Sequence, residues 1–150
     1  MAPAPRRAAA ASMAENGCMN APKPPHQPCP SCPWRMDQDA QDIPHFSLAL
    51  AERLAATCPD HRGRGPDFGA PMFACHQSKV GAEVHCAGWL ASVGHAHPAV
   101  RLGIVSGRLD AARLAPGPGW PALHDNYAQV LDKLRSTAGA CALDPDDSRS

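Results

Sequence analysis

The sequence predicts a small, mostly α-helical domain with irregular loops, a small α+β fold being the alternative. Three observations predict it. Apolar residues recur at helical spacing in several short stretches, and 17 prolines and 12 glycines among 150 residues break the chain between them. Seven cysteines include one close pair and two more placed on either side of a glycine. A chain of 15.8 kDa is one domain at most.

Residues 1–27 are rich in Ala and Pro and have no apolar period, so a disordered tail is expected. Residues 28–137 are expected to form the domain and 138–150 a flexible polar tail. From Pro28 to Arg35 the prolines flank Cys29 and Cys32. Proline fixes φ and removes an N–H, so this segment is expected to be a rigid knuckle rather than a helix or strand. Phe46, Leu50 and Leu54 stand four apart, which predicts a helix of about three turns capped near His45 or Ser47. It should stop at Cys58-Pro59-Asp60, before a glycine-rich loop.

Met72-Phe73-Ala74 is a short apolar run, expected as an extended lead into Cys75, and Gly81 marks a turn. A second helix is expected over Cys86–Val93 with Trp89 and Leu90 inward and Gly94 as its stop. Pro98 suits the first turn of a third helix that carries Val100, Ile104 and Val105 inward and ends near Gly107. The run from Ala115 to Pro121 is a loop by composition. A fourth helix is expected over Asp125–Ser136, where Tyr127, Val130, Leu131 and Leu134 repeat as i, i+3, i+4, i+7.

Composition excludes some roles. Formal net charge is zero and the pI is near 7.1, so no overall basic field draws the chain to nucleic acid or to an anionic membrane. No stretch approaches the roughly 18 apolar residues of a membrane-spanning helix. The Ala run after Arg6-Arg7 is too short for a secretory or twin-arginine signal. A cytoplasmic location is therefore expected, where clustered cysteines more often bind metal than pair as disulfides.

Cys29-x2-Cys32 brings two sulfurs to one point, and Cys75 and Cys86 form a natural second pair around the Gly81 turn. Together they are expected to hold one metal ion or cluster. Zinc takes four thiolates, or three thiolates and an imidazole, so His76 or His85 could replace one sulfur. A [4Fe–4S] cluster also takes four thiolates, and Cys32-Pro33 is like the Cys-Pro step of bacterial ferredoxins. Zinc is the expectation, the cluster the alternative. The expected metal ligands are Cys29, Cys32, Cys75 and Cys86, with His76. Cys18, Cys58 and Cys141 are expected to be plain thiols.

Other chemistry finds less support. A thioredoxin-like role for Cys29-Pro-Ser-Cys32 would need a βαβ setting that is not visible. There is no nucleophile elbow, P-loop or zinc-protease motif. His95 and His97 are expected in a solvated loop, and Arg35, Arg101 and Arg108 as solvated or paired cations rather than a phosphate-binding face.

Taken together, C-P-S-C-P-W-R, A-C-H-Q-S, C-A-G-W-L, the following G-H-A-H-P-A-V-R-L and the late P-G-P-G-W-P-A-L resemble the DUF6283 family over about residues 28–134. Its members are small proteins of unknown function from actinobacteria and their phages. The resemblance implies that Cys29, Cys32, Cys75, His76 and Cys86 belong to one site, and it implies no activity. The expected function is a zinc-stabilised binding or regulatory module with an unidentified protein or nucleic-acid partner and no membrane. An iron–sulfur redox or sensor protein comes second. A metal-dependent enzyme comes third, because four thiolates leave no open position for a substrate.

Overall fold

The computed structural model describes residues 27–38 and 43–140. The expected N-terminal tail up to residue 26, Cys18 and Cys141 lie outside these residues. Among the described residues there are four α-helices and no strand, only three isolated antiparallel bridges. The mostly α expectation holds. The helices are α1 (Leu48–Leu54), α2 (Ala87–Ser92), α3 (Pro98–Val105) and α4 (Tyr127–Ala140). Short 3-10 turns follow α1 and α2, and another spans Ala111–Leu114.

Each helix is bounded by local chemistry. Ser47 caps α1 by accepting from the Leu50 N–H at 3.2 Å, which satisfies one of the orphan donors of the first turn. His45, the other expected cap, instead has φ of 58° in the turn before it. His97 caps α3 through its ring, accepting from the Ala99 N–H at 3.2 Å, and Pro98 follows at the first helical position. The end of α3 is a Schellman motif. Gly107 adopts φ of 70°, its N–H reaches the Ile104 carbonyl, and the Arg108 N–H reaches that of Gly103 at 2.8 Å. Helix α4 runs to Ala140, past the expected end at Ser136.

The core is aromatic. Trp34, Phe73, Trp89 and Tyr127 are buried, and Trp34 packs on Tyr127 at 5.5 Å and on Phe73 at 6.1 Å between ring centroids. Such pairs add about 0.5–1.5 kcal/mol each beyond the area they bury. The Tyr127 hydroxyl donates to the Ala51 carbonyl at 2.7 Å and ties α4 to α1. The Trp89 indole donates to the Thr57 carbonyl at 3.2 Å.

Two expectations about the core need correction. Val105 was expected inward, but it is 86% exposed, because the register of α3 is set by Val100 and Ile104 on the opposite side. His97 was expected in a solvated loop, yet it is fully buried. Both its ring nitrogens find partners there: Nδ1 accepts from Ala99, and Nε2 lies 3.2 Å from the Pro71 carbonyl. A buried polar ring is tolerated when both ends are paired in this way.

Candidate metal centre

Two tight turns present the cysteines. In the first, the Cys32 N–H bonds the Cys29 carbonyl at 3.0 Å; in the second, the Ser78 N–H bonds the Cys75 carbonyl at 2.9 Å. Backbone N–H groups approach two of the sulfurs: Gln77, within the second turn, approaches Cys75, and Trp34, just after the first, approaches Cys32. At the position three residues after the first cysteine, the second turn carries Ser78 where the first carries Cys32. The Ser78 hydroxyl is spent on the Val84 backbone, accepting from its N–H at 3.0 Å and donating to its carbonyl at 3.3 Å. Cys86 lies on the other arm of the hairpin from Cys75.

That hairpin is short. Cys75 N–H bonds Val84 O at 2.8 Å, Cys86 N–H bonds Phe73 O at 2.9 Å, and Gly81 turns the chain with φ of 81°. Cys86 then forms the N-cap residue of α2. The first turn is held from the far end of the chain. Met36 N–H bonds the Ala122 carbonyl, His124 N–H bonds that of Trp34, and Lys133 on α4 donates to the carbonyls of Pro33 at 3.1 Å and Arg35 at 2.8 Å. Helix α2 presses directly on the turn. A Cβ added at Gly88 would stand 2.7 Å from Trp34 Cβ and 2.9 Å from Cys32 Sγ.

The donors converge in two subsets. Cys29, Cys75 and His76 offer ligand atoms that all lie within 4.8 Å of one another, a group that could hold a metal ion. Cys32 Sγ and Cys86 Sγ are 3.5 Å apart. Cys29 joins the subsets, since its thiol interacts with both Cys32 and Cys75. His76 presents Nδ1 to Cys29 Sγ at 4.0 Å, while Nε2 is 2.7 Å from Ser31 Oγ, which in turn accepts from Gln77 Nε2 at 3.2 Å. A ring anchored at one nitrogen and facing a donor cluster with the other has the arrangement of a metal-binding histidine.

Electrostatics favour protonated thiols while no cation is present. The Cys29 thiol is raised by Cys32 beside it. Cys32 is eased by Cys29 but held well above the ordinary thiol range by Cys86 and by burial. Cys75 is raised by Cys29 and by burial. Adjacent thiolates repel one another in a poorly solvated site, and a cation at their centre reverses that balance. Burial pushes the His76 imidazole below its usual value, so it stays neutral and able to ligate.

A model of a family of unknown function (DUF6283) matches residues 24–145. The chain belongs to that family. The DUF6283 match spans both cysteine turns, the hairpin and α2, and leaves Cys18 outside. No curated protein and no solved structure matches the chain.

Other sequence-selected residues of this DUF6283 member lie elsewhere. His85 is half-buried against Trp89, with ring centroids 6.4 Å apart, and is not in the donor group. Cys58 is buried beside Thr57 and Trp89, and burial pushes its thiol up to about 11. Arg35 makes two bonds to Asp37, at 2.8 and 2.7 Å, rather than joining a phosphate-binding face. Sequence reasoning missed Ser31, Gln77 and Lys133 around the site. Ser31 had a usable signal, lying inside the C-x2-C turn; Lys133 had none, being about a hundred residues distant along the chain.

Proposed function

We propose that the protein is a small zinc-binding module in which Cys29, Cys32, Cys75 and Cys86 hold one ion of structural role. His76 is the imidazole that takes a position if one thiolate stays out. The 3.5 Å between Cys32 Sγ and Cys86 Sγ carries this reading. Zinc–sulfur bonds of about 2.3 Å in a tetrahedron put neighbouring sulfurs about 3.8 Å apart. A [4Fe–4S] cubane sets whole iron and sulfide layers between its thiolates and holds them much farther apart, so the spacing supports zinc over the cluster. The i+2 N–H donors to Cys32 and Cys75 support thiolate ligation at either kind of centre.

Four thiolates close the coordination sphere, which supports a structural ion rather than a Lewis acid. The ion joins the first turn, the hairpin and the start of α2. The module then works in the cytoplasm through its surface, as a binding or regulatory element for a protein or nucleic-acid partner. Anaerobic purification followed by metal analysis and a visible spectrum tests the reading. Colourless protein with one zinc per chain is expected; brown protein with iron and sulfide would establish the cluster instead.

A further inference from the structure

We propose that the cleft between the metal hairpin and α3 is a binding site for a small organic anion, an apolar body ending in one carboxylate or phosphate. The cleft has a volume of about 440 Å³, within the usual range of small-molecule sites. Its body is apolar. Met72 and Val84 line it from the hairpin, Leu102 from α3 and Leu109 from the chain beyond. Met72 and Leu102 are 36% and 45% exposed, apolar surface that an occupant would cover.

Charge sets the class of ligand. Arg108, Arg113 and His85 line the cleft with a single carboxylate, Glu83, an anion that accepts from the Gly81 N–H at 2.8 Å. The two guanidinium groups outnumber it, and Arg108 carries the argument. The Schellman motif places Arg108 rigidly, because its own N–H and that of Leu109 both bond the Gly103 carbonyl, at 2.8 and 3.0 Å. Its Nε donates to Ser106 Oγ at 2.9 Å, which orients the guanidinium and leaves its remaining donors for a ligand. The inference stands apart from the metal reading, as it uses none of the cysteines.

Calorimetric titration of the full chain with octanoate, octyl phosphate, 1-octanol and inorganic phosphate tests it. One or both charged amphiphiles should saturate at one per chain, and the tighter of the two identifies the head group. Octanol should bind at least tenfold more weakly, and inorganic phosphate should give no saturable heat. Arg108→Gln should weaken amphiphile binding about tenfold, in line with loss of a charge-assisted hydrogen bond, and Leu102→Asp should abolish it. Arg53→Gln, at an exposed position of α1 away from the cleft, should change nothing. Melting temperatures check that every variant is folded, and if Leu102→Asp is not, Arg108→Gln decides. Equal affinity for octanol, unchanged affinity in Arg108→Gln, or no saturable binding of either amphiphile would overturn the proposal.

Discussion

Gly88→Ala sets two effects of opposite sign against each other. Gly88 sits in the first turn of α2, where alanine is the better helix former by about 1 kcal/mol. On propensity alone the substitution stabilises. Its new Cβ, however, would lie 2.7 Å from Trp34 Cβ and 2.9 Å from Cys32 Sγ, where ordinary contact begins at 3.4 Å. Trp34 and Cys32 are both fully buried, and the first is wedged among Phe73 and Tyr127. Neither can swing aside, so α2 must retreat by several tenths of an ångström from the turn that carries Cys29 and Cys32. Overpacking of this kind costs about 1–3 kcal/mol, and moving Cys86 relative to Cys32 strains the metal site as well. We expect a net loss of about 1–2 kcal/mol in urea unfolding at fixed zinc, with weaker zinc retention against a chelator. Gly69→Ala is the control: nothing lies within 4 Å of its Cβ, and stability should stay within about 0.5 kcal/mol. A Gly88→Ala protein more stable than wild type would show that α2 does not press on the cysteine turn.

Three further outcomes are expected. Cys32→Ser should melt far below wild type and lose the metal, since structural zinc contributes about 10–16 kcal/mol in peptide-sized domains, whereas Cys141→Ser should melt with wild type; coincident curves for the two would contradict the shared site. Lys133→Met should cost about 2 kcal/mol, because the carbonyls of Pro33 and Arg35 lose a charged donor, and a change under 0.5 kcal/mol by denaturation would remove Lys133 from the account. The dependence on pH should differ with and without zinc. The folded metal-free protein holds its Cys29, Cys32 and Cys75 protons above the reference value of 9.0, so its thiols leave stability unchanged below pH 9 and lower it as pH rises beyond. With zinc bound the folded state has already released those protons, so stability rises from pH 6 to 9, by up to about 1.4 kcal/mol per unit for each proton released. Parallel pH profiles of the urea midpoint with zinc and with chelator would contradict this.

Much of the fold was legible because its signals are local. Pro98 before Val100 and the Tyr127 to Leu134 repeat each state a helix and its buried face without help from elsewhere in the chain. Phe46-x3-Leu50-x3-Leu54, by contrast, located α1 but overran it: the Ser47 cap starts the helix after Phe46, its seven residues fall short of three turns, and Ala51 is the residue it buries. Gly81 marked the turn, but the sulfurs expected to pair across it find other neighbours, Cys75 beside Cys29 and Cys86 beside Cys32. What escaped depends on tertiary partners. Whether His97 is solvated is decided by the Pro71 carbonyl, 26 residues away, and by the Trp89 ring at 5.5 Å. Val105 was misplaced because the short α3 has only one covered side, and the sequence offers two apolar neighbours for it. At the candidate metal centre, spacing singled out the cysteines and His76, of which Cys29, Cys75 and His76 converge as a group that could hold an ion, while the Ser31–His76 bond and the cap by Lys133 require the fold to be known.

X-ray absorption at the metal edge of the purified protein tests the central claim most directly. The account predicts a zinc ion with a first shell of four sulfurs at about 2.3 Å, or three sulfurs and one nitrogen if His76 takes a position. A shell of nitrogen and oxygen only, or iron with a metal neighbour at short range, would contradict it.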